Sequence, residues 1–403
     1  MYQIQFDKPV HVHFIGIGGI SMSGLAEILL SRKFPVSGSD SHESALTDKL
    51  AGQGAVIHYP QMAENITDDI DVVVYTAAIH PDNPEFRAAQ EKNLPMLTRA
   101  QLLGEIMRNY KEAINVSGTH GKTTTTSMIT EILLEAHKDP TVSVGGMMKD
   151  IGGNIRVGGQ ETFVVEACEY TNSFLSFFPT IEVILNVEAD HLDFFKDIDD
   201  IRHSFKLFAE KLPADGLLVI NKDIKHSEYF TSELKCKVVT FGHEKDADYT
   251  ANFISYDRLA HPSYTLFYKG EELAKVELGV TGEHNIYNSL AAIAVARSLD
   301  IPMDVILSGL KRFTGTDRRF QKKGSVNGFT IIDDYAHHPQ EIAATIEAAK
   351  KYPHRKLWIA FQPHTYSRTA ALLDDFAGAL SQADEIVLAD IYAAREKNTI
   401  GIS

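Results

Sequence analysis

The sequence predicts an α/β protein of three successive units: a Rossmann-like unit, a central phosphate-loop unit with a parallel sheet, and a second Rossmann-like unit. Three observations lead there. Apolar runs of strand length alternate with helix-length segments along the whole chain. Two strand–helix junctions carry glycine-rich turns, beginning at Gly16 and at Gly118. Polar residues follow directly behind strand-like runs, at Glu166, Asp190 and Asp333, and open parallel sheets bind ligands at the carboxyl ends of their strands.

The chain's 403 residues are enough for two to four domains with ample core. Its hydrophobic fraction of 44% and charged fraction of 23% suit a soluble globular protein. The net charge of −15 argues against nucleic acid as the main partner, because phosphate backbones are held by a basic excess. A local Lys/Arg cluster would still suffice for a small phosphate ligand. Only two cysteines occur, so no disulfide framework is indicated, and Cys168 reads as a small apolar residue rather than a nucleophile. The N-terminus has no apolar leader core and no run reaches membrane-spanning length. The cytoplasm is therefore the expected compartment, with no membrane partner; the oligomeric state, monomer or dimer, stays open.

The first unit is expected over residues 1–108. The run from Val10 to Ile15 reads as a buried strand, followed by Gly16-Ile-Gly18-Gly19-Ile-Ser21 and a helix over Leu25 to Ser31. A second strand, from Val36, ends in Asp40, about twenty positions after the glycines, which is the Rossmann spacing. Ser21 stands where that pattern has its third glycine. A further strand, Asp71 to Tyr75, leads toward His80. The motif fits a dinucleotide or nucleotide-diphosphate site and equally a tight turn with no ligand.

The second unit is expected over residues 109–317. A strand ending near Val116 runs into Gly118-Thr119-His120-Gly121-Lys122-Thr123-Thr124, and a helix follows to about Glu135. In such a loop, glycines turn backbone N–H groups toward phosphates, Lys122 supplies positive charge, and the Thr123 hydroxyl suits Mg²⁺. Val116 occupies the place of the ordinary first glycine, so this is a shorter variant. Downstream, Glu166 and the Asp190-His191 pair close apolar strands on the same sheet edge, the usual way to orient Mg²⁺. Asn285 opens an Ala-rich helix, where it can meet an adenine edge or simply cap the helix. Arg318 and Arg319 follow a glycine at a hinge-like segment; adjacent arginines suit phosphate clamping, although a surface pair is the commoner arrangement.

The third unit is expected over residues 318–403. Strands end at Asp333-Asp334-Tyr335, at Phe361 ahead of His364 and Arg368, and at Asp390. The His-rich clusters sit with Tyr, Asp and Arg, which favours an organic carboxylate ligand over zinc. Three strands are few for a doubly wound domain, so this unit is expected to be incomplete.

Taken together, the motifs from Gly118 to Thr124, Glu166 to Glu169, Asn186 to Asp193, Gly282 to Asn285, Arg318 to Phe320 and Asp333 to Pro339 occur in an order that resembles the Mur ligase family. These are ATP-dependent amino-acid ligases of peptidoglycan precursor synthesis. The runs from Gly16 to Ser23 and from Phe361 to Thr369 look most like the branch that joins L-alanine to UDP-N-acetylmuramate. The resemblance covers the whole chain and implies three domains, for the UDP-sugar, for ATP with Mg²⁺, and for the amino acid. It implies that Gly16, Gly18, Gly19, Ser21, Asp40 and His80 meet the UDP-sugar. It implies that Gly118, Thr119, His120, Gly121, Lys122, Thr123, Thr124, Asn285, Arg319 and Asp334 meet ATP. Thr123, Glu166 and His191 would hold Mg²⁺; Lys122, Glu166, His191 and Arg319 would act in catalysis; Tyr335, His364 and Arg368 would surround L-alanine. Relatives acting later in the pathway use a carboxylated lysine beside the metals; Lys206 has a comparable offset from His191 but is expected to be an ordinary helix lysine.

Other classes compete. An NAD-dependent oxidoreductase would use the first glycine loop but leaves the phosphate loop unexplained. A non-catalytic nucleotide-gated module would bind ATP without alanine-dependent ADP release. Within the family, the alternative is the recycling ligase that joins a tripeptide to the same UDP-sugar.

Overall fold

The computed structural model describes residues 2–192, 194–394 and 396–403; Asp193, at the end of one motif above, and Arg395 lie outside the described residues. The first unit runs β1 (Val12–Ile15), α1 (Ile20–Ser31), β2 (Val36–Ser39), α2 (Ala45–Gly52), β3 (Val56–His58), β4 (Val72–Tyr75), α3 (Pro84–Glu91), β5 (Met96–Thr98) and α4 (Arg99–Met107). Its sheet has the order β3-β2-β1-β4-β5 with every pair parallel. The chain reverses its direction of winding beside β1, so the first glycine turn lies at a topological switch point.

The central unit runs β6 (Glu112–Ser117), α5 (Lys122–Glu135), β7 (Thr141–Met148), β8 (Gly153–Arg156), β9 (Thr162–Glu166), β10 (Ile181–Ile184), α6 (Ile198–Ala209), β11 (Leu217–Asn221), α7 (Glu228–Thr231), β12 (Lys237–Phe241), β13 (Tyr249–Tyr256), β14 (Pro262–Tyr268), β15 (Glu271–Glu277), α8 (His284–Ser298) and α9 (Met303–Arg312). All of its strands belong to one sheet of order β15-β14-β13-β12-β11-β10-β6-β9-β7-β8. From β12 to β7 the pairs are parallel, as expected. At its edges the sheet continues antiparallel: β13-β14-β15 is an antiparallel meander and β8 pairs antiparallel with β7. Short hairpin connections make antiparallel neighbours without a crossover helix, and here they extend the sheet at both sides.

Helix α5 is clamped under α8 and α9. Its Met128, Ile129, Ile132 and Leu133 are buried against Leu290, Ala291, Ile293 and Leu310. The alanines of α8 let the helices approach closely, and a Cβ on Gly309 of α9 would come within 2.9 Å of the Ile132 Cα. The phosphate loop is thus carried by a rigid helix. The first and central units are also tightly joined. A Cβ on Gly24 of α1 would fall 2.3 Å from the Ile155 Cγ1 of β8. Arg32 donates from Nη2 to the Gly158 and Gly159 carbonyls at 2.8 and 2.9 Å.

The third unit runs β16 (Gln321–Val326), β17 (Phe329–Asp333), α10 (Pro339–Lys350), β18 (Trp358–Phe361), α11 (Tyr366–Ala371), α12 (Leu373–Leu380) and β19 (Glu385–Leu388). Among the described residues its strands form two separate pairs, an antiparallel β16/β17 hairpin and a parallel β18/β19 pair. Ile342, Ile346, Phe361, Phe376, Ala379 and Leu380 form its small core. Trp358, Val387 and Leu388 are exposed. Among the described residues no helix is long and apolar enough to cross a membrane.

Candidate active site

The phosphate loop leaves β6 between β10 and β9, and the neighbouring strand ends supply its surroundings. Register pairs Val116 with Glu166 and Ser117 with Ile184, so Glu166 and the residues after β10 stand level with the loop. Asn186, just past β10, ties the loop down: its side chain accepts from the His120 N–H at 2.7 Å and donates to the His120 carbonyl at 3.0 Å. Gly121, at the start of α5, has φ of 82°, and a Cβ there would lie 2.6 Å from the Asn288 Oδ1. A side chain is excluded on both counts. The sequence signal for this role of Asn186 is its place directly behind the central strand β10.

Lys122 turns back over the loop. Its Nζ donates to the Gly118 and Thr119 carbonyls at 2.5 and 3.0 Å and pairs with Glu169 at 3.0 Å. Burial works against the charge of Lys122, but Glu169, Cys168 and Glu166 together outweigh it and leave the ammonium above its ordinary range. The sequence alone assigns no role to Glu169, three residues past the end of β9. Beside it, the Thr123 hydroxyl donates to Glu166 at 2.9 Å, and the Gly145 N–H donates to the same carboxylate at 2.6 Å.

Thr123 and Glu166 present hard oxygen donors to the cleft, a set that suits Mg²⁺. Among the described residues no three His, Cys, Asp or Glu side chains form a self-sufficient metal site, so a cation here would take its other ligands from phosphate and water. His191 lies next to this group, with Nε2 at 3.9 Å from Glu169 and 3.8 Å from Asp190, and its ring 4.6 Å from that of Tyr170. Burial lowers the pKa of His191, which favours the neutral imidazole that metals bind. Cys168 is a free, exposed cysteine.

The third unit closes over the loop. Arg319 reaches the Thr123 hydroxyl from Nη2 at 3.5 Å. Arg318 lines the same cavity and pairs with Asp333 at 3.8 Å, and both guanidinium groups lie over the Tyr335 ring, at 5.4 and 5.9 Å. His120 is held from both sides, by Glu341 of α10 at 3.2 Å and Glu188 at 3.5 Å. Burial opposes its protonation, but the two carboxylates raise its pKa to about 9. Glu341 also accepts the His337 N–H at 3.0 Å, so one carboxylate joins the phosphate loop to the His337-His338 turn.

Two cavities meet here. One, of about 470 Å³, is lined by Lys122, Thr123, Glu166, His191, Arg319 and Tyr335. The other, of about 850 Å³, extends from His120, Gly121 and Thr124 past Asn285 and Tyr287 to Asp334. Asn285 neither caps α8 nor stays free: it donates to the Thr281 carbonyl at 2.7 Å and accepts from Asn288 at 2.8 Å. Asp334 accepts the Phe320 and Ala336 N–H groups, both at 2.9 Å, while burial raises its pKa. His284, exposed toward the cavity, lines it too; desolvation by the protein packed around its ring lowers its pKa to about 4, so it is neutral at pH 7.

Arg368 and His364 are absent from both linings. Arg368, on α11, pairs with Asp190 at 3.4 Å, and burial lowers the pKa of His364, whose ring lies tilted to that of Tyr392 with centroids 5.6 Å apart. Lys206 pairs with Glu233 at 3.1 Å and Glu210 at 3.7 Å, the helix-surface role expected of it.

In the first unit the glycine turn is closed by Asp40, whose Oδ2 accepts the Gly18 N–H at 2.8 Å. Gly16 has φ of 85°, and Gly19 precedes the first residue of α1. Ser21 is exposed in the first turn of α1, and the close-packing role of a third glycine falls to Gly24 instead. His80 is exposed on the loop after β4.

Comparisons with known proteins agree with this geometry. The family model for the Mur ligase family, catalytic domain matches residues 11–111, the Mur ligase middle domain residues 116–296, and the Mur ligase, glutamate ligase domain residues 318–400. The chain is 65% identical to the UDP-N-acetylmuramate–L-alanine ligase of Lachnospira eligens, over all of this chain and 88% of that protein. It is 60% identical to the ligase of the same name from Agathobacter rectalis, with the same coverage. Among solved structures, the UDP-N-acetylmuramate–alanine ligase of Thermotoga maritima superposes with a TM-score of 0.77 at 33% identity, covering 95% of this chain and 85% of that one. A murein peptide ligase from Psychrobacter arcticus shares the fold, with a TM-score of 0.71 at 24% identity over 94% of this chain and 84% of that one. With three family models in register along the chain and the phosphate loop facing the Tyr335–His337 turn across one cleft, the protein belongs to the Mur ligase family.

Proposed function

We propose that this protein joins L-alanine to the lactyl carboxylate of UDP-N-acetylmuramate, using ATP, by way of an acyl phosphate. The observation that carries this reading is the cleft in which Lys122, Thr123 and Glu166 of the central unit face Arg319 and Tyr335 of the third, in a chain 65% identical to a relative of that name. Residues 1–108 would hold the UDP-sugar through Gly16, Gly18, Gly19, Ser21, Asp40 and His80; residues 109–317 would hold ATP; residues 318–403 would hold L-alanine through Tyr335, His364 and Arg368.

The chemistry begins with repulsion, because a carboxylate must approach a triphosphate. Lys122 and Arg319, from opposite walls of the cleft, neutralise charge as the phosphoryl group moves. A carboxylate oxygen bonds to the γ-phosphorus and the bond to the β-phosphate oxygen breaks, leaving ADP and an acyl phosphate. The alanine nitrogen then bonds to the acyl carbon, loses a proton and expels phosphate from the tetrahedral intermediate. Thr123 and Glu166, with His191 beside them, would hold Mg²⁺, which when bound supplies charge neutralisation at the phosphates. We assign the reaction to the cytoplasm, where ATP is available.

The test is phosphate release with UDP-N-acetylmuramate, ATP and Mg²⁺, adding one amino acid at a time. Release that depends on L-alanine is expected. Release that depends instead on a tripeptide would replace this reading with the recycling ligase, and nucleotide binding without any release would replace it with a binding module.

A further inference from the structure

Helix α10 forms one wall of the larger cavity through Gln340, Glu341, Ala344 and Thr345. It is fastened to the central unit at both ends. At its N-terminus Glu341 holds His120 of the phosphate loop. At the other end Lys351, directly after the helix, donates to the Tyr256 hydroxyl at 2.8 Å and to Glu283 at 3.1 Å. Tyr256 itself donates to Glu283 at 2.8 Å, and its ring centroid lies 4.1 Å from the Lys351 Nζ. Glu347 of α10 is 3.4 Å away and takes the remaining direction of the ammonium. Tyr256 ends β13 and Glu283 immediately precedes α8, so both belong to the central unit.

The two fastenings are ten residues apart, about 15 Å along a helix. A bar pinned at one end can swing; pinned at both ends it cannot. Lys351 lines neither cavity, so it acts on the site through the elements it joins, α10 and the start of α8. A single exposed ion pair contributes little. Here the lysine is about three-quarters covered, with 24% of its side chain exposed, its three N–H groups all face acceptors, and it rests on an aromatic face. None of Lys351, Tyr256 and Glu283 belongs to the core of the third unit, so their loss leaves that core intact.

We propose that Lys351 is a positioning residue for the ligase reaction: its clasp with Tyr256 and Glu283 holds α10 against the central unit and so sets the closed width of the nucleotide cavity. The proposal rests on the ligase reading above, and its test separates the two.

In the full 403-residue chain, Lys351→Met, which keeps the apolar stem, is expected to raise the KM for ATP by roughly tenfold and to weaken binding of a non-hydrolysable ATP analogue by a similar factor, with an unchanged melting temperature. Lys351→Arg, which keeps charge and reach, is expected to remain within about twofold of the parent. In a double-mutant cycle with Glu283→Gln, the second substitution is expected to add little once the first is present. Analogue titrations of Lys351→Met that superimpose on the parent, or effects of Lys351→Met and Glu283→Gln that multiply independently, would overturn the proposal. A parent that binds the analogue in a Lys351-dependent way but never releases phosphate in response to L-alanine would overturn the ligase reading and leave the clasp standing. A parent that does not bind the analogue overturns both.

Discussion

The Lys122 ammonium stands 3.0 Å from the Glu169 carboxylate, at the mouth of the phosphate loop. The loop's one lysine is largely covered, with 12% of its side chain exposed, and already paired, so an incoming triphosphate competes with Glu169 rather than meeting a solvated cation. Lys122→Ala is expected to abolish ligation and leave the fold intact. Losing a charge-stabilising contact of this kind costs on the order of 10²–10³ in rate. Alanine-dependent phosphate release at near-parental rate would refute the assignment of Lys122.

Glu166 accepts from both Thr123 and Gly145, and His191 lies near it on the same sheet edge. Glu166→Gln and His191→Ala are each expected to raise the Mg²⁺ concentration needed for half-maximal turnover, because an amide is a poorer ligand for a hard cation. Mg²⁺ titrations of both variants that overlay the parent's would reduce these residues to strand-end furniture.

Arg368 is joined to Asp190, a residue of the central unit, across 178 positions of sequence. If the guanidinium also anchors the alanine carboxylate, Arg368→Lys raises the KM for L-alanine about tenfold while those for ATP and UDP-N-acetylmuramate move less than about twofold. Should all three rise together, the ion pair with Asp190 is the whole of its role.

The His120 clasp has a pH signature. Its folded pKa of about 9 lies above the ordinary 6.5, so the stability it contributes is fully present below pH 6.5 and is lost as pH rises through 9. At full value the shift corresponds to on the order of 3 kcal/mol. The parent's melting temperature should fall across this window, and His120→Asn should flatten the fall. Parallel profiles for the two proteins would contradict a bridge between Glu188 and Glu341.

Glu182 lies within β10, fully buried, and among the described residues neither of its carboxyl oxygens has a hydrogen-bond partner. Burial raises its pKa well above the ordinary 4.5. The folded chain keeps this proton while the unfolded chain releases it, so the side chain lowers stability progressively as pH rises above 4.5. Glu182→Gln is expected to raise the melting temperature at pH 8 and to change it little at pH 4. A loss of stability at pH 8 would show that the carboxyl is needed there.

Sequence alone determined the features that are contiguous in the chain. The phosphate loop, its helix, the first glycine turn with its acidic partner, and the run of family motifs are each written within a few residues of one another, because strand, turn and helix propensities act locally. Those segments lie where the sequence predicts. The pairings that make a site of them were not legible. Lys122 meets Glu169 across 47 positions, His120 meets Asn186 across 66, and Arg319 meets Thr123 across 196. Which strand ends stand side by side follows from a sheet order in which β6 runs between β9 and β10, and that order depends on the burial of both faces, not on any local preference. The antiparallel edges and the use of Gly24 for close packing were decided the same way. Whether Arg368 faces a ligand or Asp190, and whether α10 is pinned at one end or two, depends on how the third unit packs on the second, and only the tertiary structure decided it.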